Sequence, residues 1–316
     1  MKKMIFPLLI AVFVFALPVS SYAISNEKCF SCHGEKGSKY YVDSLLFYAS
    51  AHNGLTCTSC HVNIGNYPHK DTTRVKCVTC HFKMKKGYRN MIHNQAFSTG
   101  KKLPYCITCH GYHYVLPADH KNARERIPSL CSQCHVNAYK EYKKGIHGIL
   151  FLERHNDAAA VCSDCHFVHS LPSVGNKKWK LALIKECGNC HRQQMDTYND
   201  TVHGEITRLG YTFAAECPDC HGAHKILPPR YEESTLSPRK IVNTCKKCHP
   251  YANPKFAEFH PHAEPQDKKD YPFIYYTDLF MKVLMIGVFS FFFLHTLLWA
   301  YRSLRENEAK RKKGGS

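Results

Sequence analysis

The clearest chemical pattern in this chain is the spacing of its cysteines. All 18 cysteines occur in C-x-x-C pairs, and each second cysteine is followed directly by histidine. The pairs are Cys29/Cys32, Cys57/Cys60, Cys77/Cys80, Cys106/Cys109, Cys131/Cys134, Cys162/Cys165, Cys187/Cys190, Cys217/Cys220 and Cys245/Cys248. The histidines that follow them are His33, His61, His81, His110, His135, His166, His191, His221 and His249. One motif therefore accounts for every thiol in the chain.

The C-x-x-C-H motif is the attachment site of c-type haem. Its two thiols add to the two vinyl groups of one porphyrin, and the adjacent imidazole becomes the proximal ligand of the iron. Zinc sites and thioredoxin-like dithiols also use C-x-x-C, but neither requires histidine at the next position. A disulfide framework would not pair every cysteine in this way. The sequence therefore predicts nine covalently bound haem c groups.

Histidines outside the motifs can supply the second axial ligand of each iron. Two spacings recur: a histidine three residues after the motif histidine, with Leu-Pro just beyond, and a histidine about twelve residues after it. With divergent copies at both ends, they select His52, His69, His93, His113, His147, His169, His203, His224 and one of His260 or His262. His120 and His155 fall outside the pattern, and Met84, Met91 and Met195 are weaker alternative ligands.

An iron with two histidine ligands has no open position for a substrate. The sequence thus predicts electron transfer, with no catalytic residue and no enzyme activity. The histidine three residues beyond a motif histidine is expected to reach a neighbouring haem, and the assignment of each distal ligand stays open. An alternative function, a haem reductase of nitrite, hydroxylamine or sulfur oxyanions, would require an open iron position.

The two spacings alternate along the chain, so the repeat is two motifs long. Cys106 and Cys162 are 56 residues apart, and Cys162 and Cys217 are 55 residues apart. The segment after the twelve-residue type of motif lacks proline and glycine. It is predicted to form a helix that ends at the glycine following the distal histidine, at Gly148 or Gly204.

The haem region extends from residue 24 to about residue 272, which allows only about 27 residues per haem and cannot build a conventional two-layer domain. We therefore expect a mainly α-helical, loop-rich domain in which short helices surround a chain of stacked haems. The 19 tyrosines and 18 phenylalanines are expected to pack on porphyrin faces.

Both ends of the chain indicate export and membrane attachment. A charged start, an apolar run and a small-x-Ala signal at Ala23 have the pattern of a signal peptide over residues 1–23. Residues 273–301 are predicted to form a transmembrane helix, since Val283 to Tyr301 lack charged side chains. The basic tail, residues 302–316, is expected on the cytoplasmic side. The haem domain would then face the periplasm from the inner membrane.

The formal charge of +18 does not indicate a nucleic-acid partner. The leader and the tail carry part of it, and nine ferric haems with ionised propionates would cancel about nine positive charges. His295 is a separate feature, because an ionisable residue within a predicted span is a functional hypothesis. It could ligate a b-type haem or line a quinone site in a partner, or it could be a neutral residue bonded to a neighbouring helix.

The nine motifs, with the C-x-x-C-H-x-x-H-then-Leu-Pro repeats and the His-Gly pairs, resemble the multihaem cytochromes c of the cytochrome c3, NrfB-like and octahaem groupings. The anchor, with His-Thr-Leu-Leu-Trp from His295 to Trp299, resembles nonahaem subunits beside a cytochrome b in quinol-oxidising bc-type complexes. The resemblance implies electron transfer in anaerobic respiration, from the quinol pool through an integral membrane partner to periplasmic cytochromes or reductases. It differs from the NapC/NrfH quinol dehydrogenases, which have four haems and an N-terminal anchor.

Overall fold

The computed structural model describes residues 24–70, 72–90, 93, 105–170 and 177–313, and helix is the only regular secondary structure in these residues. The prediction of a mainly helical chain is therefore confirmed. The predicted signal peptide, Met91 and the Leu171-Pro172 pair of the repeat lie outside the described residues.

The chain divides into two compact units, Met1–Arg126 and Ile127–Ser316. In the first unit the described helices are α1 (Asn26–His33), α2 (Ser44–Tyr48), α3 (Cys57–Cys60), α4 (Phe82–Asn90), α5 (Cys106–His110) and α6 (Lys121–Glu125), with a 3-10 turn at Cys77–Thr79.

The described helices of the second unit are short except for the last. They are α7 (Ile127–Ser132), α8 (Val136–Lys144), α9 (Ile146–Gly148), α10 (Cys162–Cys165), α11 (Lys177–Cys190), α12 (Arg192–Asn199), α13 (Val202–Arg208), α14 (Cys217–His221), α15 (Ile241–Lys246) and α16 (Pro272–Lys313). A π-helical turn covers Ile149–Glu153 and a 3-10 turn covers Phe256–Glu258. A small apolar cluster of Phe151, Ala159 and Val161 is buried in this unit.

Each C-x-x-C-H motif lies in or at the end of a helical turn. In six motifs the backbone N–H of the motif histidine donates to the carbonyl oxygen of the first cysteine, at 2.9–3.0 Å; these histidines are His61, His81, His135, His166, His191 and His249. Residues three apart share one face of a helical turn. The local backbone therefore directs both thiols of a motif to the same side.

The histidine–glycine pairs of the repeat have a different role from the predicted one. Helices α8 and α12 end at Lys144 and Asn199, before the histidine, which lies in the next short helix. A Cβ atom at Gly204 would lie 2.1 Å from the carbonyl oxygen of Tyr198, and one at Gly148 would lie 2.1 Å from that of Tyr142. The prediction that the helix after the motif extends to the glycine is therefore wrong: that helix ends at Lys144 or Asn199, and the glycine instead lets the next short helix approach it closely.

The buried tyrosines at these contacts connect each histidine segment to the next motif. The Tyr142 hydroxyl donates to the carbonyl oxygen of Ala160 at 2.9 Å, and the Tyr198 hydroxyl donates to that of Ala215, also at 2.9 Å. Each accepting residue lies two positions before a motif cysteine, Cys162 or Cys217. The repeat in the sequence is therefore also a repeat in local structure.

Helix α16 is long and apolar enough to cross a membrane. Its 42 residues extend about 63 Å at 1.5 Å per residue, and they include the predicted span, residues 273–301. The helix begins at Pro272, a favourable first helical residue, and continues through the basic segment to Lys313. Asp278 and Lys282 form an ion pair one turn apart near its beginning. One C-terminal helix compatible with a single-pass anchor is thus present.

Candidate functional site

Histidines of distant segments face each other in pairs. In seven pairs a motif histidine faces a histidine from outside the motifs, with ring centroids 5.8–6.2 Å apart. The pairs in the first unit are His33/His69 at 5.8 Å, His52/His81 at 6.0 Å and His61/His113 at 6.2 Å. Those in the second unit are His147/His191 at 6.1 Å, His166/His224 at 6.1 Å, His203/His249 at 5.9 Å and His221/His262 at 6.2 Å.

These distances match the separation of two imidazoles that bind one metal ion from opposite sides. An imidazole nitrogen lies about 2.0 Å from a bound transition metal and about 1.1 Å from its own ring centre, so the two ring centres lie about 6.2 Å apart. Rotation of each ring about the metal–nitrogen axis is free, which accommodates the interplanar angles of 24–65°. The donor set therefore fits an iron held between two histidines.

The seven histidines from outside the motifs were all selected by sequence spacing as distal ligands. His93 and His169, the other two ligands so selected, and the motif histidines His110 and His135 each have an interaction partner in the structure as well. Of the two alternatives near the C-terminal end, the structure brings His262 to His221. His260 lies against Tyr271, with ring centroids 5.9 Å apart.

The two histidines that the spacing excluded lie in structural positions. The Nδ1 atom of His120 accepts a hydrogen bond from the backbone N–H of Asn122 at 3.2 Å, which caps the beginning of α6. His155 lies in a turn with a φ of 50°, a left-handed conformation that is uncommon outside glycine.

The protein surroundings favour neutral imidazoles in the pairs. In five pairs, burial is the main cause that lowers the pKa of at least one histidine; those affected are His61, His113, His147, His166, His203, His221, His224 and His262. For most of them a neighbouring histidine lowers the pKa further. Neutral imidazole is the form that binds a metal, so burial prepares these rings as ligands.

Hydrogen bonds to the second ring nitrogen orient two of the ligands. His33 Nδ1 lies 3.0 Å from the carbonyl oxygen of Tyr40. His262 Nδ1 lies 3.0 Å from the Thr197 hydroxyl oxygen and also interacts with the backbone of Gln194. An imidazole whose Nδ1–H donates a hydrogen bond presents Nε2 as the ligand atom. These contacts therefore fix the orientation of both rings.

The pair His33/His69 and the pair His61/His113 also contain buried nitrogens without protein partners. The Nδ1 atoms of His61 and His69 are buried and form no hydrogen bond within the described residues. A buried polar atom without a partner costs free energy. Such nitrogens suit a group that the polypeptide itself does not supply.

The thiols of successive motifs lie side by side within each unit, and none of the 18 cysteines forms a disulfide. First cysteines lie within hydrogen-bond range of each other in the pairs Cys29/Cys57, Cys77/Cys106, Cys131/Cys162 and Cys187/Cys217. Second cysteines interact electrostatically with the next motif: Cys60 with Cys77 and Cys80, Cys165 with Cys187 and Cys190, and Cys220 with Cys245 and Cys248. Contacts through the first and the second cysteine thus alternate along each unit. Within the described residues, no group of three or more His, Cys, Asp or Glu side chains is arranged to hold a metal ion.

The second cysteines Cys32, Cys109 and Cys134 belong to motifs that contact a neighbouring motif through the first cysteine. All three are exposed. The Cys32 Sγ atom lies 4.0 Å from the hydroxyl oxygen of the adjacent Ser31, and Cys109 interacts with Cys106 of its own motif. Their assignment to haem attachment rests on the C-x-x-C-H pattern.

Sequence reasoning missed two buried side chains beside the motifs. Trp179 is 5% exposed and stacks on the ring of His166, with centroids 5.4 Å apart and planes 13° from parallel. Glu216, directly before Cys217, is 1% exposed. Burial raises the pKa of Glu216 to about 7, Lys180 opposes this rise, and Asp219 adds to it. Neither residue stands out in the sequence, because an acidic residue beside a motif resembles a solvated charge.

Comparison of the chain with models of known families, with characterised proteins and with solved structures gives no match. What the site can do follows from its residues. Paired thiols on one helical face can anchor a porphyrin, and opposed neutral imidazoles can bind its iron from both sides.

Proposed function

We propose that the chain is a membrane-anchored multihaem c-type cytochrome whose nine covalent haems serve electron transfer. The observation that carries this proposal is the pairing of seven motif histidines with histidines from other segments at 5.8–6.2 Å. A bound haem c supplies a reversible one-electron iron couple. The 18 cysteines, the exposed Cys32 and Cys109 included, anchor the haems, and the motif histidines act as proximal ligands.

The second histidine of each pair supports electron transfer over the alternative of a haem reductase. This histidine would bind the iron where a substrate such as nitrite would otherwise bind. His52, His69, His113, His147, His203, His224 and His262 act in this way on seven haems. His93 and His169 are proposed as the remaining distal ligands on the spacing of the repeat.

The cysteine contacts support transfer along the chain. Because the thiols of successive motifs are neighbours within each unit, the polypeptide holds consecutive attachment sites close together. Electron transfer between redox groups requires such proximity.

Helix α16 supports attachment to a membrane by a single span. We propose that the haem region lies in the periplasm, since thioether attachment of haem in bacteria takes place outside the cytoplasm and the basic tail favours the cytoplasmic side. The electron donor would be an integral membrane subunit that oxidises quinol, of the cytochrome b type, and the acceptors would be periplasmic cytochromes or reductases. His295 lies about 22 Å beyond Phe280 along the helix, where a periplasmic haem cannot reach it, so it would face that subunit.

The first experiment is to count haems on the full-length protein purified in detergent. Intact-mass spectrometry is expected to show nine haem additions and no free thiol. A double substitution, Cys217→Ala with Cys220→Ala, serves as the matched control and should remove one haem. A count of seven or fewer for the unaltered protein would contradict the proposal.

The second experiment is to record the spin state of the ferric protein. All haems, or all but one, are expected to give low-spin bis-histidine spectra. Strong high-spin signals, or rapid carbon monoxide binding at several haems of the reduced protein, would instead favour the reductase.

A further inference from the structure

The seven histidine pairs connect motifs that are not neighbours in the sequence. Numbering the motifs 1 to 9 along the chain makes the relation clear. His52 follows motif 1 but faces motif 3, His147 follows motif 5 but faces motif 7, and His203 follows motif 7 but faces motif 9. In each case the histidine after an odd-numbered motif reaches forward by two motifs.

The histidines of the other motif type reach in the opposite direction. His113 follows motif 4 and faces His61 of motif 2, and His224 follows motif 8 and faces His166 of motif 6. In motifs 4 and 8 the helix ends after the motif histidine, at a glycine with positive φ, Gly111 or Gly222. The histidine three residues beyond the motif histidine therefore lies outside the motif helix, where it faces the preceding motif of its own type.

The histidines after motifs 2 and 9 are the exceptions, and each faces the motif immediately before. His69 follows motif 2 and faces His33 of motif 1, while His262 follows motif 9 and faces His221 of motif 8. They lie eight and thirteen residues after their motif histidines. Spacing alone does not set the partner, because His52, nineteen residues after His33, keeps the regular pairing with motif 3.

We infer that, within each unit, the iron sites are assembled by exchange of ligands between motifs. The histidine that follows an odd-numbered motif is the distal ligand at the next odd-numbered motif. The histidine that follows an even-numbered motif is the distal ligand at the preceding even-numbered motif. The histidines that follow motifs 2 and 9 are instead the distal ligands at motifs 1 and 8. This inference rests on the proposed function. It adds a named distal ligand for each of seven haems, with the haem attached to one motif and the ligand supplied by the segment after another.

The choice of His262 over His260 follows from its surroundings. His262 is half-buried, and its Nδ1 atom is held by Thr197 near the middle of α12. This contact holds the ring while its centroid lies 6.2 Å from that of His221. His260 is exposed and contacts Tyr271 instead. Histidines two residues apart thus have different roles.

The inference is tested with His147→Gly in the haem-loaded full-length protein. The expected result is one high-spin haem in the ferric EPR spectrum, located on motif 7, and return to the low-spin form when free imidazole is added. His155→Gly, which removes an excluded histidine of the same unit, is the matched control and should leave all haems low-spin.

Two backgrounds locate the affected haem. In a protein that lacks the motif 7 haem through Cys187→Ala and Cys190→Ala, the His147→Gly substitution should add no high-spin haem beyond that background. In a protein that lacks the motif 5 haem through Cys131→Ala and Cys134→Ala, the substitution should still add one. The reverse result would overturn the exchange, because His147 would then serve the motif that it follows.

A comparison of two single variants covers the case in which a background does not fold. His262→Gly should produce one imidazole-rescued high-spin haem, and His260→Gly should produce none. The opposite result would overturn the assignment at motif 8. Failure of the proposed function would be distinguishable, because the unaltered protein would then lack covalent haem, whereas failure of the exchange alone would leave nine low-spin haems with other partners.

Discussion

Glu216 provides a prediction about stability that depends on a single buried carboxyl group. Its side chain is 1% exposed, and neither carboxylate oxygen has a hydrogen-bond partner within the described residues. Burial raises its pKa from 4.5 to about 7; Lys180 lowers the pKa and Asp219 raises it. Replacing Glu216 with glutamine keeps the shape of the side chain and removes the charge.

The sign of the effect follows from the raised pKa. The folded protein holds the proton more tightly than the unfolded chain, so the stabilisation is fully present below about pH 4.5 and is lost as the pH rises towards 7. A rise of the pKa from 4.5 to about 7 corresponds to about 3 kcal/mol. This is an upper figure, because any water that reaches the carboxyl group weakens the effect of burial, which is the main cause of the rise.

We therefore expect Glu216→Gln to match the unaltered protein at pH 4.5 and to exceed its stability at pH 8 by up to about 3 kcal/mol. The measurement is guanidinium-induced unfolding of the haem-loaded protein in detergent, followed by far-ultraviolet circular dichroism at several pH values. Glu258→Gln, at an exposed position, is the matched control and should leave the pH dependence unchanged. Identical pH dependence in the Glu216→Gln and unaltered proteins would refute the reasoning, because the carboxyl group would then be paired or hydrated.

Two further substitutions test the repeat and the anchor. Gly204→Ala places a Cβ atom 2.1 Å from the carbonyl oxygen of Tyr198, so we expect about 2–4 kcal/mol of destabilisation in denaturant unfolding. Gly54→Ala is the control and should change the stability little, because a Cβ atom there meets nothing within 4 Å. Equal stability of the two variants would contradict the close contact at Gly204. His295→Leu is expected to leave nine haems by mass spectrometry but to impair quinol-linked reduction or the haem b spectrum of the partner. If the variant still forms the complex and is reduced by quinol at the normal rate, His295 has no role beyond packing.

The C-x-x-C-H motifs could be recognised from the sequence because the residues of each motif are local. Two thiols three residues apart and the next residue's imidazole lie on one helical turn, so no distant segment is needed to recognise the motif. The C-terminal helix was equally predictable, since length and apolar composition are properties of one continuous segment. The repeat spacing also selected as candidate ligands all seven non-motif histidines that face a motif histidine in the structure.

Local patterns failed where two backbone segments approach each other. The glycine after a distal histidine has the appearance of a helix end, yet Gly204 lies inside α13. Its lack of a side chain is required by the carbonyl oxygen of Tyr198. A sequence rule for helix ends uses only the residues of one segment and does not include a neighbouring helix, so the predicted boundary was wrong.

The nine C-x-x-C-H motifs, the set of candidate ligands, the helical character of the chain and the apolar helix near its end all followed from the sequence. Which histidine faces which motif depended on the fold, because the two members of a pair are separated by 29–58 residues and meet only when the chain folds. The fold also brings His262, and not His260, to His221, and a hydrogen bond between His262 and Thr197 holds its ring. The burial of Glu216 has the same origin, since the exclusion of water from a carboxyl group depends on the residues packed around it and not on those beside it in the sequence.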